Sequence, residues 1–211
     1  MANDTAMTGN ILQEFPVIDW SAVLEPLVEK RRVILPVALP AFCWEGLQQE
    51  AQQYRQQNDF QQAKIGRAQS MQQRSDVRSD QLHWLSEKGE WETAYLRWMQ
   101  GLQQCLNREL FLGINEFEAH YAYYPVGAFY KTHVDRHHDK DARVVSAVLY
   151  LNKHWQADEG GELVIYDAEE CVVEKELPTG GKLAIFMSDD VPHEVLPANR
   201  ERLSIAGWFR R

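Results

Sequence analysis

The chain has 211 residues, of which 45% are hydrophobic, and carries a formal net charge of −9. A chain of this length and composition builds one substantial globular core. The acidic balance argues against a broad phosphate-binding surface, so nucleic acid is not an expected partner. No apolar run approaches the ~20 residues that cross a bilayer, so we expect no membrane association.

The cysteines and the first residues bear on the cellular compartment. Cys43, Cys105 and Cys171 are widely separated and fit no disulfide or zinc-binding spacing, so we interpret them as reduced thiols. Residues 1–13 lack the basic and then apolar regions of a signal peptide. We therefore expect a cytoplasmic protein, with a flexible segment over residues 1–14 and a single domain over residues 15–211.

The first half of the chain predicts mainly helices. Asp19 is a suitable N-cap for a helix that runs to residue 29, and a β-rich run follows over residues 32–39. A second helix is predicted from about residue 41 to residue 56. The clearest helix covers residues 91–110, because apolar side chains recur there at spacings of three and four. Between these helices the sequence is polar, with weak strand signals at 62–65 and 81–85.

The second half predicts strands. Short β-rich runs separated by turn residues cover 117–124, 129–134, 144–151, 161–166, 171–175, 181–186, 193–195 and 202–208. The pattern predicts an α+β fold: a double-stranded β-helix, or jelly roll, mainly in residues 113–211, with helical support mainly in residues 15–112. Two small domains divided near residue 113 are the alternative, which we disfavour because the first half has too few strands to close a core.

Two histidines and an aspartate form a candidate metal site. In Tyr130-Lys131-Thr132-His133-Val134-Asp135, residues 133 and 135 point to the same side if the strand continues through both. A third ligand, His193, lies in the β-like context Val-Pro-His-Glu-Val. Two imidazoles and one carboxylate hold divalent iron on one face and leave positions open for other ligands.

A second His-x-Asp pair, His137 and Asp139, competes with the first one. It lies in a charged run without alternation, over residues 136–143, which predicts a solvated turn. A strand holds ligands more firmly than a loop does, so we favour His133 and Asp135. The alternative for any single pair of this kind is two ordinary surface residues.

Arg202 follows His193 by nine residues, which places both on neighbouring antiparallel strands that face one cavity. A guanidinium can bind a carboxylate in bidentate fashion, so Arg202 suits a dicarboxylate ligand. The alternative is one more surface arginine near the C-terminus.

These motifs, together with Tyr124-Pro125, Tyr150-Leu151-Asn152-Lys153 and Gly160-Gly161, occur in an order and at spacings that resemble the Fe(II)/2-oxoglutarate-dependent oxygenases. The C-terminal half resembles more specifically the prolyl 4-hydroxylases that modify hypoxia-inducible factor, and the compact chain resembles their bacterial relatives. The resemblance implies that Fe(II) is bound by His133, Asp135 and His193, that 2-oxoglutarate and O2 are cosubstrates, and that ascorbate supports activity.

The resemblance also implies roles around the cosubstrate. Arg202 pairs with the distal carboxylate of 2-oxoglutarate, Tyr150 donates a hydrogen bond to the same carboxylate, and Tyr124 lines the iron pocket. Trp208 matches a position that lines the cleft. Tyr150 and Trp208 have an alternative interpretation as ordinary core residues.

Four further residues match positions that contact substrate. Arg143 matches a substrate-contacting arginine, Leu163 matches a residue of the cleft, and Arg78 and Asp80 end a mobile loop that covers the substrate. The polar segment over residues 61–80 is the corresponding loop here, with Ser79 where glycine is usual. In the alternative interpretation Leu163 is a core residue, Arg143 closes a turn and Asp80 caps a strand end.

The implied reaction is hydroxylation of a prolyl residue in a protein, and the bacterial relatives imply a loop of elongation factor Tu. One alternative is dealkylation of nucleic acids, but that group carries a second arginine six residues after the first, where this chain has Trp208. The other is a jelly roll that binds metal or 2-oxoglutarate without turnover, which would have no need for open metal positions.

Overall fold

A computed structural model describes residues 11–63, 76–135 and 142–211. Within these ranges it contains three α-helices, which are α1 (Ser21–Lys30), α2 (Ala41–Gln56) and α3 (Glu90–Leu110). The strands in the same ranges are β1 (Arg32–Leu35), β2 (Gln61–Gln62), β3 (Gln81–Trp84), β4 (Glu116–Tyr124), β5 (Tyr130–His133), β6 (Arg143–Tyr150), β7 (Leu163–Tyr166), β8 (Val172–Glu176), β9 (Leu183–Met187), β10 (His193–Val195) and β11 (Arg202–Arg210).

The strands form two antiparallel sheets. The larger has the order β1-β9-β6-β11-β4-β3-β2 and the smaller the order β5-β10-β7-β8. The prediction of an α+β jelly roll with N-terminal helices is confirmed. Strands β1 and β3, from the first half of the chain, pair with β9 and β4 from the second half, so both halves contribute to one sheet.

Helix α3 packs on the larger sheet through the predicted apolar stripe, and Tyr95, Met99, Leu102 and Leu106 are fully buried in it. The buried carboxylate of Glu50 connects the layers. It accepts hydrogen bonds from the first turn of α3, including the backbone N–H of residue 92 at 2.8 Å, and from the Tyr121 hydroxyl on β4 at 3.0 Å. Burial raises the pKa of Glu50, although these hydrogen bonds oppose the rise.

Alternation along the strands separates the core from a second, inward-facing surface. On β11 the side chains of Leu203, Ile205 and Phe209 belong to the core under the helices. The intervening residues, among them Arg202 and Trp208, face the opposite way. This surface, enclosed on one side by the smaller sheet, is where the candidate site lies.

The structure adds detail to two predicted segments. Residues 11–13, at the end of the segment predicted to be flexible, form a 3-10 turn, in which Ile11 packs on the core, and the Cys43 thiol donates to the carbonyl of Glu14 at 3.2 Å. Strand β1 ends at Leu35, because the N–H groups of Ala38 and Leu39 turn to bond the carbonyl of Gly181. Most of the predicted substrate-covering loop lies outside the described residues. Among the described helices, none is long and apolar enough to cross a membrane.

Candidate active site

The structure brings His133, Asp135 and His193 together. His133 ends β5, His193 begins β10, and the two face each other in the register of the smaller sheet. Nε2 of His133 lies 3.5 Å from Oδ1 of Asp135, and Nε2 of His193 lies 3.8 Å from Oδ2. The three ligand atoms all lie within 4.8 Å of one another. The competing pair, His137 and Asp139, lies outside the described residues.

The strand argument for the His-x-Asp pair is wrong in one respect. Strand β5 ends at His133, so Asp135 lies just beyond the strand. The buried carboxylate is held from the larger sheet instead, where the Ser146 hydroxyl donates to Oδ2 at 2.6 Å. Ser146 is in turn 2.8 Å from the hydroxyl of Ser188. Sequence reasoning missed both serines.

Both imidazoles are oriented by backbone carbonyls. Nδ1 of His133 lies 2.8 Å from the carbonyl of Lys131, and Nδ1 of His193 lies 3.0 Å from the carbonyl of Val191. A carbonyl only accepts, so each Nδ1 carries the proton and each Nε2 presents a lone pair. This is the arrangement by which second partners fix metal-binding histidines.

The electrostatics of the cluster suit a cation. Burial would raise the pKa of Asp135, but His193, His133 and the Ser146 hydrogen bond lower it below its usual range. Burial and the neighbouring His133 lower the pKa of His193 to about 4. At neutral pH Asp135 is therefore a carboxylate and His193 a neutral imidazole, the protonation states that bind metal. Two nitrogens and one oxygen on one face fit Fe(II).

Arg202 forms a second binding feature beside the cluster. Its side chain is 1% exposed, and its Nε donates to the carbonyl of Gly161 at 2.9 Å. No carboxylate within the described ranges pairs with it. The Tyr150 hydroxyl, also buried, has no acceptor within the described ranges, since the Arg202 guanidinium beside it can only donate. The guanidinium carbon lies 5.3 Å from the centre of the Tyr150 ring and 4.8 Å from that of Tyr124.

A buried cation without a counter-ion and a buried hydroxyl without an acceptor are both costly. Each is satisfied if a carboxylate binds between Arg202 and Tyr150. The pocket therefore fits the distal carboxylate of 2-oxoglutarate, while the metal cluster is left to bind the other end of that molecule. The structure places Arg202 beside Tyr150 and Tyr124, and the roles that the resemblance implies for these three residues stay predictions.

Aromatic residues cluster on the inward face of the larger sheet. The Arg143 guanidinium lies 3.7 Å over the Trp208 ring and donates to Glu118 at 2.9 and 3.0 Å. Beside Trp208 lie His120 and Trp84, and their rings are 5.0 Å apart. Sequence reasoning missed these two. Period-two alternation could have found His120, which lies four residues before Tyr124 and thus on the same face of β4.

The other predicted substrate residues have different surroundings. Leu163 is buried opposite Val195 on the smaller sheet, on the same face as His193. Arg78 and Asp80 form an ion pair with each other, and the Asp80 side chain is fully buried. A contact between Asp80 and substrate would require this pair to open. The substrate contacts of Arg143, Leu163, Arg78 and Asp80 stay predictions.

Comparisons with known proteins agree with this geometry. Residues 119–210 match the family model of the 2OG-Fe(II) oxygenase superfamily. A Pseudomonas putida prolyl-4-hydroxylase crystal structure superposes with a TM-score of 0.82 at 40% identity, over 91% of this chain and 98% of that one. A prolyl hydroxylase from Trichoplax adhaerens, in complex with a peptide fragment of hypoxia-inducible factor, gives 0.81 at 29% identity, over 90% and 88%.

Two curated relatives, both animal proteins, are longer than this chain. Egl nine homolog 1 of Mus musculus is 34% identical over 142 residues, which are 64% of this chain and 35% of that protein. The hypoxia-inducible factor prolyl hydroxylase of Caenorhabditis elegans is 35% identical over 85 residues, 39% of this chain and 12% of that protein. The chain thus spans about a third or less of these two relatives. The metal cluster, the carboxylate pocket and these similarities together show that the chain belongs to the 2OG-Fe(II) oxygenase superfamily and, within it, to the prolyl hydroxylases.

Proposed function

We propose that this protein hydroxylates a prolyl residue of a protein substrate, using Fe(II), O2 and 2-oxoglutarate, and that the substrate is a loop of elongation factor Tu. The observation that carries the reaction is the cluster of His133, Asp135 and His193, together with the buried Arg202, for which the described residues supply no carboxylate partner. The identification of elongation factor Tu as the substrate rests on the resemblance of the sequence to the bacterial members of the family. We also propose that ascorbate supports turnover and that the enzyme acts in the cytoplasm.

The chain's own residues bind and orient the reactants. His133, Asp135 and His193 would hold Fe(II) on one face. Arg202 and the Tyr150 hydroxyl would bind the distal carboxylate of 2-oxoglutarate. When bound, iron and cosubstrate supply the oxidising chemistry, in which O2 and 2-oxoglutarate are converted to succinate, CO2 and one oxygen atom inserted into a C–H bond. The protein therefore contributes by positioning the iron and the cosubstrate and by supplying the charges that bind them.

The walls of the site also exclude water. Tyr124, Tyr150 and Leu163 are at most 4% exposed, so these side chains of the proposed site are shielded from solvent. Trp84 is 46% exposed and its ring lies 6.4 Å from that of Trp208, so we propose that a peptide approaches the site from this side. An apolar ring surface beside a cation, as Trp208 and Arg143 provide, suits an extended peptide segment with a proline ring.

The experiment is reconstitution of the intact protein with Fe(II), 2-oxoglutarate, ascorbate and purified elongation factor Tu in air, followed by peptide mass spectrometry. We expect one proline to gain the mass of one oxygen atom, with succinate formed in equal amount. Neither product should form without 2-oxoglutarate or with Asp135→Ala.

Each other result identifies a different function. Succinate that depends on a methylated oligonucleotide instead of a protein would support nucleic-acid dealkylation. Tight 2-oxoglutarate binding without succinate, for elongation factor Tu and for a panel of prolyl peptides alike, would support a binding protein without turnover. Hydroxylation of another protein's proline would keep the reaction and replace the substrate.

A further inference from the structure

We propose that Tyr130 is a positioning residue for the ligand His133, and that the ion pair of Arg78 and Asp80 holds Tyr130 in place. The inference rests on the proposed function only in assuming that His133 binds iron. It concerns residues that hold the metal site in shape, none of which needs to touch substrate.

The first observation is a ring stack on the metal ligand. The Tyr130 ring and the His133 imidazole are 3.6 Å apart between centres and tilted by only 15°. The hydrogen bond from Nδ1 of His133 to the carbonyl of Lys131 sets one direction of the imidazole. A flat contact on the ring face sets its tilt as well. The two contacts together determine where Nε2 points.

The second observation is a cation on the same tyrosine. The Arg78 guanidinium carbon lies 4.3 Å from the centre of the Tyr130 ring. The guanidinium is fixed by two hydrogen bonds to Asp80, from Nε at 2.7 Å and from Nη2 at 2.5 Å. Since Asp80 is fully buried and Arg78 largely so, this bidentate pair is a rigid support for the ring.

The third observation is that the backbone around Arg78 runs along β5. The Lys131 N–H donates to the carbonyl of Val77 at 2.9 Å, and the Ser79 N–H donates to the carbonyl of Phe129 at 3.1 Å. The Ser79 hydroxyl accepts from the N–H of Phe129 at 3.1 Å. Strand β5 thus has β10 on one side and this segment on the other. An edge strand would hold His133 less firmly.

The test is the affinity of the metal-free protein for Fe(II), measured anaerobically by calorimetry without 2-oxoglutarate or substrate. Tyr130→Leu removes the stack and should weaken binding about tenfold, the scale of other supporting contacts at metal sites. Tyr130→Phe keeps the ring and should restore the affinity to within about twofold of the original. If Tyr130→Leu does not fold by circular dichroism, Tyr130→Met carries the same expectation.

The chain offers a matched control. Tyr54 stacks on His83, with centres 4.0 Å apart and a tilt of 19°, in a place where the histidine is no metal ligand. Tyr54→Leu removes an equivalent stack and should leave Fe(II) affinity unchanged even if it lowers the melting temperature. A Co(II) absorption spectrum that changes in Tyr130→Leu and not in Tyr54→Leu would support an altered ligand geometry.

Three results would overturn the proposal: Tyr130→Leu binding Fe(II) as tightly as the original protein, Tyr130→Phe binding as weakly as Tyr130→Leu, or Tyr54→Leu losing as much affinity. The proposed function fails separately. A protein that binds Fe(II) tightly and hydroxylates no proline refutes the function and leaves the positioning role of Tyr130 open to the same measurement.

Discussion

Ser146 on β6 donates a 2.6 Å hydrogen bond to Oδ2 of Asp135, which lies beyond the end of β5. The larger sheet thus holds the candidate metal ligand Asp135, whereas the histidines His133 and His193 lie on strands of the smaller sheet. Ser146→Ala should weaken Fe(II) binding about tenfold, because the carboxylate loses the contact that orients it. Anaerobic calorimetry of the metal-free protein measures this.

The control for Ser146→Ala is Ser21→Ala. Ser21 also donates a 2.6 Å hydrogen bond to an aspartate, Asp19, but at an exposed helix end. Its loss should leave the metal affinity unchanged. Equal affinity of Ser146→Ala and the original protein would show that Asp135 needs no support from the larger sheet.

The metal ligands can be tested by stability instead of activity. A cation that binds only the folded protein, at a concentration a hundredfold above its dissociation constant, adds about 2.7 kcal/mol to the free energy of unfolding. We expect Mn(II) or anaerobic Fe(II) to raise the melting temperature of the original protein and of His137→Ala. His133→Ala, Asp135→Ala and His193→Ala should show no rise. Loss of the effect in His137→Ala alone would move the site to the second His-x-Asp pair.

For Arg202 we predict a small change in the stability of the protein and a large change in its affinity for 2-oxoglutarate. Arg202→Met removes a buried cation that has no carboxylate partner among the described residues, so the free protein should lose no more than about 1 kcal/mol of stability. The affinity for 2-oxoglutarate should fall by about 3 kcal/mol, roughly a hundredfold, because the distal carboxylate then lacks its ion pair. Urea unfolding and anaerobic 2-oxoglutarate titration measure the two quantities. Unchanged 2-oxoglutarate affinity would exclude Arg202 from that role.

The pattern-based predictions succeeded where one residue's environment follows from its own strand or helix. The apolar stripe of residues 91–110 became α3, which spans Glu90–Leu110, because helical packing needs only that local spacing. The prediction that Arg202 and His193 lie on neighbouring strands is wrong, because β11 belongs to the larger sheet and β10 to the smaller one. Arg202 nevertheless faces inward, since alternation along β11 turns it away from the core under the helices.

Residues that act across strands escaped prediction. Ser146 and Ser188 meet because β6 and β9 are neighbours in the sheet, and their separation of 42 residues carries no local signal. The stack of Tyr130 on His133 likewise depends on irregular register between β5 and β10. Asp135 was placed correctly beside His133 and His193 but for a wrong reason, since a hydrogen bond from the larger sheet holds it.

His120 provides a prediction on pH. Burial, and then the charge of Arg78, lower its pKa from 6.5 to about 4 in the folded protein. Between these values the unfolded chain binds the extra proton, so stability rises with pH there and is lost as pH falls from about 6.5 to about 4. The loss amounts to about 3 kcal/mol from this residue. His193, whose pKa is also lowered to about 4, loses stability in the same pH range.

The measurement is urea unfolding of the metal-free protein between pH 4.5 and pH 7, at intervals of about half a unit. The free energy of unfolding should depend less steeply on pH in His120→Asn than in the original protein. Parallel curves would mean that His120 is not neutral in the folded state.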